Sequence, residues 1–266
     1  MIFWALLPTI VLLIYIYKKD TREKESKVLL FKCFLCGVLS AAPAVVVELA
    51  EDSLIFSHFT AGTLVYAFVE SLVVAALSEE VFKYIALLGM TWKSPEYNCR
   101  FDGIVYAVFT GLGFAAIENI LYLVEGSFLD AIIRMLTAIP GHLGYAVFMG
   151  YFYSRAKQGS LYNNKKMVRQ NKFLAVFVPV IFHAIYDALL TVEEEVAGEA
   201  MSTICMIAWF VFVAVFFVVS FMLIKRTSKE DMPFSMQRVT WECKCGNINN
   251  GSFCSKCGAR KLSMRI

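Results

Sequence analysis

The sequence predicts an all-α polytopic membrane protein of about seven transmembrane helices, followed by a small cysteine-rich tail. Three observations predict it. Hydrophobic residues make up 59% of the 266 and charged residues 18%, against about 45–50% and roughly 25% in soluble domains. Apolar runs suited to crossing a hydrocarbon core, about 20 residues each, recur as far as position 224. Four of the eight cysteines crowd between positions 243 and 257, a clustering that suits a metal and not a disulfide framework. The net charge of +3 is too small to suggest nucleic acid.

Taken in order, the expected spans are roughly Ile2–Tyr17, Val28–Leu49, Gly62–Met90, Phe101–Val124, Leu129–Tyr153, Lys172–Val192 and Met201–Ile224. The first is short. Its positive charge, Lys18 and Lys19, follows the apolar run, whereas a signal peptide carries charge before it. A retained membrane anchor is therefore expected. The third is long enough to tilt or to project beyond the bilayer.

The loops set the orientation. Segments 18–27, 93–100 and 155–172 carry thirteen Lys or Arg, and Lys225, Arg226 and Lys229 follow the last span. The intervening loops carry Glu51, Asp52, Glu125, Asp130, Glu193, Glu194, Glu195 and Glu199 without a single Lys or Arg. By the positive-inside rule the first set is cytoplasmic. An integral protein of a cell membrane is expected, with its N-terminus outside and its C-terminal tail in the cytoplasm.

Polar residues inside the spans carry the functional signal. A charge at the bilayer centre costs on the order of 2.5–3.5 kcal/mol on insertion scales, so such a side chain faces protein or a water-filled cavity. The third span holds Glu70, Glu79, Glu80 and Lys83, the fourth Glu118 and Asn119, the fifth Arg134 and His142, the sixth His183 and Asp187. Helical spacing puts Glu79, Glu80 and Lys83 within about 100° of arc, and sets His183 over Asp187 and Phe114 over Glu118. Two of the three histidines fall in mid-span. Glu70 lies roughly opposite Glu79, and it reads with Arg134 as an ion-pair or interfacial residue. The Cys33–Cys36 pair reads as apolar packing.

Two carboxylates with two imidazoles suit the activation of water. A glutamate withdrawn from bulk solvent can take a proton from it near neutral pH. Imidazole or carboxamide N–H groups can stabilise the oxyanion formed as water adds to a peptide carbonyl. A zinc site built from glutamate and histidine is the rival chemistry, although the HExxH pattern is absent. A sensor or scaffold, in which the charges only brace helices, is a third reading.

Four blocks add a resemblance. EEVFK at Glu79–Lys83, the glycine-rich FDGIVYAVFTGLGFAAIENILY at Phe101–Tyr122, PGHLGYAVFMGYF at Pro140–Phe152 and FHAIYDALL at Phe182–Leu190 follow one another. Together they resemble the PrsW family of intramembrane proteases, which is grouped with the CAAX-prenyl-endopeptidase and bacteriocin-immunity membrane proteins. The resemblance covers roughly residues 60–192. It implies a glutamate-type peptidase acting on a membrane-bound protein, of which an anti-sigma factor is the type substrate. It also implies Glu79, Glu80, Glu118, His142 and His183 as catalytic candidates, supported by Lys83, Asn119 and Asp187. Which histidine does which task stays open, as does zinc in this site.

Composition then divides the chain into a membrane domain (1–224), a polar linker (225–240) and a tail module (241–262). The tail reads WECKCGNINNGSFCSKCGARK, in which Cys243, Cys245, Cys254 and Cys257 form two close pairs, each followed by glycine. It resembles a small zinc ribbon with a first knuckle one residue shorter than the usual C-x-x-C. A closed four-thiolate zinc site is structural, and a reducing cytoplasm keeps the thiols available. The module is expected to contact a cytoplasmic partner that no residue names. Its few Lys and Arg form only a mild basic cluster and do not favour nucleic acid.

Overall fold

The computed structural model describes residues 2–56, 58–125, 128–192, 198–236, 241–249 and 253–260. Helices dominate them: α1 Ile2–Lys19, α2 Lys27–Phe56, α3 Leu64–Val69, α4 Ser78–Thr91, α5 Asp102–Glu125, α6 Phe128–Leu136, α7 Ala138–Leu161, α8 Lys165–Thr191 and α9 Glu199–Lys229. A π-helical stretch, Glu70–Leu77, joins α3 to α4 without a break. Strand structure among the described residues is one antiparallel pair, β1 Trp241–Glu242 with β2 Ile248–Asn249.

An apolar run in hydrocarbon must satisfy its backbone internally, so it closes into a helix. Five described helical segments are long and apolar enough to cross: 27–51, 102–124, 132–161, 165–191 and 201–229. The protein is thus an integral membrane protein built on five such helices. The first and third expected spans correspond to α1 and to the α3–π–α4 run.

α5 is the centre of the bundle. Its apolar window is 72% buried, against 22% for α9, which lines the outside. Small residues bring its neighbours close. A side chain added at Gly37 of α2 would collide with the Thr110 carbonyl of α5, and one at Gly113 would collide with the Phe34 carbonyl of α2. On the opposite side, a Cβ at Gly150 of α7 would lie 2.5 Å from the Gly103 carbonyl oxygen. These contacts fix the height of α5 relative to both neighbours. Outward-facing α2 and α9 residues such as Phe31, Leu39, Phe210 and Val218 are exposed, as a lipid-facing surface requires.

Local structure departs from the expected spans in three places. The third is one continuous rod whose middle is widened by the π-helical stretch, a form that often marks functional sites. There Ala76 is fully buried in a cluster with Val180 and Ala184 of α8. The fifth is divided at Thr137, because Pro140 has no N–H to offer the Leu136 carbonyl one turn back. The gap is closed by side chains: Thr137 Oγ1 donates to Ile133 O at 2.8 Å and accepts from Tyr186 Oη at 3.1 Å. The seventh runs beyond Ile224, since α9 continues to Lys229.

The following residues are not loose either. Asp231 Oδ1 accepts from the Phe101 N–H at 2.8 Å, Phe234 N–H donates to Asn98 O at 2.8 Å, and Tyr162 Oη donates to Phe234 O at 3.2 Å. Phe234 is buried in the main core, 5.7 Å from the Tyr97 ring. The first half of the expected linker is thereby helix, then a clasp on the turn between α4 and α5.

Candidate active site

Two turns of α4 supply the foundation of the site. Glu79, Glu80 and Lys83 share one face, and Lys83 Nζ donates to Glu79 Oε2 and to Glu80 Oε1, both at 2.8 Å. A third contact, 3.1 Å to His142 Nδ1, comes from α7. The ammonium also sits 4.1 Å from the centre of the Phe114 ring on α5, a cation–π contact that helps hold the charge away from water. All of these groups are buried. The carboxylate pair is tolerated in an apolar rod because every charge has a partner.

The two glutamates are not equivalent. Glu80 is fully buried, held by Lys83 and by His183 Nδ1 at 3.2 Å. Glu79 retains 8% of its exposure, and its Oε2 lies 3.9 Å from the same His183 nitrogen. Glu80 therefore anchors, while Glu79 is the one that can meet a solvent molecule.

The histidines belong to different pairs. Lys83 can only donate, so His142 Nδ1 accepts and the ring proton sits on Nε2. That nitrogen faces Glu118 Oε2 at 2.7 Å. The other oxygen of Glu118 takes an ion pair from Arg134 of α6, whose guanidinium stacks 3.6 Å over the Tyr122 ring. His183 instead has carboxylates on both sides, Glu80 at Nδ1 and Asp187 at 3.2 Å from Nε2. The Tyr145 ring stacks on it at 4.6 Å, and the imidazoles lie 5.4 Å apart at an 80° angle.

The structure therefore brings Glu79, Glu80, Lys83, Glu118, His142, His183 and Asp187 into one cluster drawn from α4, α5, α7 and α8. Asn119 is buried one residue beyond Glu118, about 100° round the helix. Arg134, read from sequence as an ion-pair residue, has Glu118 as its partner. Two contributors had escaped notice. Tyr145 has only the i+3 spacing from His142 to reveal it. Glu48 of α2 lies within electrostatic reach of Glu79, Glu118, Lys83 and His183, with Oε1 buried. In sequence it looks like part of an acidic span end, yet it stands one helical turn after the buried Ala44, which packs with Phe114.

The donor chemistry fits a divalent cation as well as a water-activating carboxylate. One atom from each of Glu79, Glu118 and His142, or of Glu79, Glu80 and His183, lies within 4.8 Å of the others. Five carboxylates, Glu48, Glu79, Glu80, Glu118 and Asp187, stand against two fixed cations, Lys83 and Arg134.

The tail cysteines form a second, separate constellation. Cys243, Cys245, Cys254 and Cys257 bring their sulfurs within 4.8 Å of one another. Cys243 and Cys257 are 3.5 Å apart and Cys245 and Cys254 3.6 Å. These separations exceed a disulfide's roughly 2.05 Å and approach the edge of about 3.8 Å expected of a tetrahedron of thiolates around zinc. Gly246 and Gly258 adopt φ of 77° and 72°, the left-handed turns each knuckle requires.

Comparison with known proteins places this architecture. The family model described as "PrsW family intramembrane metalloprotease" matches residues 25–222, leaving the cysteine module outside. Protease PrsW of Halalkalibacterium halodurans is 32% identical over 207 residues, covering 78% of this chain and 91% of that protein. Protease PrsW of Clostridioides difficile is 33% identical over 211 residues, covering 77% and 85%. That of Bacillus subtilis is 27% identical over 203 residues, covering 76% and 88%. No solved structure matches. A peptidase is therefore what these helices enclose, not a scaffold, and the chain belongs to the PrsW family of intramembrane proteases.

Proposed function

We propose that the protein is a glutamate-dependent intramembrane endopeptidase, cleaving a single-span protein substrate in regulated proteolysis, with an anti-sigma factor as the type of target. Seven crossings, counting α1 and the α3–π–α4 rod, put the N-terminus outside and the tail in the cytoplasm, in keeping with the loop charges. The observation that carries the reading is the asymmetry of the glutamate pair: Glu80 is sealed by Lys83 and His183, while Glu79 keeps an open edge.

Glu79 takes a proton from water as the oxygen adds to the scissile carbonyl. Lys83 and Glu80 hold it in place. As the oxyanion develops, the Nε2 proton of His142 turns to it from Glu118, which keeps Arg134 as its partner. His183, oriented by Asp187 and Tyr145, passes a proton to the departing amine. Should a divalent metal be bound, Glu79, Glu118 and His142 would hold it, and it would supply a Lewis acid that polarises the carbonyl and acidifies water. The family description favours this second reading. In the tail, Cys243, Cys245, Cys254 and Cys257 bind a structural zinc in a ribbon (241–262) that engages a cytoplasmic partner.

Co-expression with a single-span reporter substrate tests the reading. Glu79→Gln should lower cleavage by about 10²–10⁴-fold at unchanged protein level, and wild-type cleavage by that variant would refute it. Metal analysis of the full chain separates the two chemistries. Metal in excess of that held by the four cysteines, lost in Glu118→Gln, marks a metallopeptidase. No such excess in active protein marks the glutamate mechanism.

A further inference from the structure

At the end of the bundle that carries the basic loops, a cavity of about 300 Å³ opens between the start of α5 and the last turns of α7 and α9. Three guanidinium groups line it, those of Arg100, Arg155 and Arg226. Glu230 is the one carboxylate on its wall, and it is taken by Arg226 at 3.0 Å. Among the described residues, the hydrogen bond of the Arg155 guanidinium is to the Tyr151 hydroxyl, at 3.2 Å. Arg100 has no carboxylate or hydrogen-bond partner for its guanidinium among the described residues, although its carbonyl is fixed by Ser154 Oγ at 2.7 Å. Thr227 adds a buried hydroxyl. A concave site with two arginines lacking carboxylate partners is built for a phosphate-type anion, because guanidinium forks match its oxygens in pairs.

We propose that this cavity binds the phosphate headgroup of an anionic phospholipid. The source is argued from α9. Val219, Met222, Leu223 and Arg226 follow the i, i+3, i+4, i+7 spacing of a single helix stripe. Val219 and Met222 are exposed, and Leu223 lines the cavity. An apolar, lipid-facing track thus leads directly to the guanidinium, as the acyl chains of a bound lipid would need. Basic cavities between helices at the cytoplasmic side of a membrane recognise headgroups in this way.

The test uses the full chain in neutral detergent–phosphatidylcholine micelles, following the thermal midpoint as phosphatidylglycerol is titrated in. Wild-type protein should shift upward at a low mole fraction. The Arg100→Gln/Arg155→Gln double variant should need roughly tenfold more lipid. Inorganic phosphate in place of the lipid separates the sources: if it reproduces the shift, the site takes a free anion and the lipid assignment falls. Equal responses to both lipids, or a double variant that titrates like wild type, overturn the site itself. If the double variant is unfolded in neutral lipid, Arg226→Gln decides. Its side chain is 75% exposed and tolerant of change. It should weaken the response while Lys225→Gln, one residue off the cavity, leaves it intact, and identical behaviour of the two overturns the proposal.

Discussion

The membrane cluster and the cysteine module solve opposite problems. The module draws four cysteines from fifteen consecutive residues, Cys243 to Cys257, and its geometry depends on two tight turns. The cluster draws its groups from Glu79 to Asp187, across four helices, and its geometry depends on how those helices are stacked. A local site can be assembled or lost alone. A site of the second kind shares its stability with the fold, because each buried charge is the partner another cannot do without.

Removing Lys83 should break the comparison most severely. Lys83→Met leaves Glu79 and Glu80 buried without their common partner, so a loss of about 3–5 kcal/mol is expected. A large drop in the thermal midpoint and in the yield of folded protein would report it. Retention of the wild-type midpoint would mean that the two halves of the cluster stand independently. Gly113→Ala attacks the stacking itself. The added methyl collides with the Phe34 carbonyl of α2, and overpacking of this kind costs about 1–3 kcal/mol. Cleavage should fall together with the midpoint, although the substitution touches no group of the cluster.

Cys254→Ser should behave in the contrary manner. Metal held by the tail is lost, while the midpoint of the membrane helices stays within about 0.5 kcal/mol of wild type. A shared melting event would show that the two regions fold as one.

The smallest effect is a pH dependence at the end of α1. Burial raises the Asp20 carboxyl to about 6, with Asp231 and Glu23 adding to the rise while Lys24 and the Glu25 N–H oppose it. The folded state then holds this proton more tightly than the unfolded chain does. The stabilisation is complete below about pH 4 and disappears as pH rises towards 6. Asp20→Asn should flatten the slope of midpoint against pH in that window, and an unchanged slope would assign it to another group.

Legibility in the sequence followed the same division between near and far. The spacing of Glu79 and Glu80 to Lys83, and of His183 to Asp187, is a property of one helix; in the structure the two glutamates are bonded to Lys83 and Asp187 lies in ion-pair contact with His183. The cysteine spacing is local too. The pairing of His142 with Glu118 was not legible, nor was the approach of Glu48, since both depend on the relative heights of α2, α5 and α7. Those heights are fixed by backbone contacts at Gly37, Gly113 and Gly150, which a periodicity argument reads only as small residues. The break at Thr137 was written in Pro140, but a continuous run of apolar residues conceals it. The clasp at 231–234 was hidden for the converse reason, because a polar composition says nothing of a single buried Phe234.

That clasp has a mechanical consequence. Asp231 grips the residue just ahead of α5, and Glu118 sits on the same rigid rod, seventeen positions along, or about 25 Å away. Tension on the segment that follows α9 would enter the rod bearing Glu118 through that grip, so a pull at one end of the bundle reaches the buried charges through a stiff tie-rod.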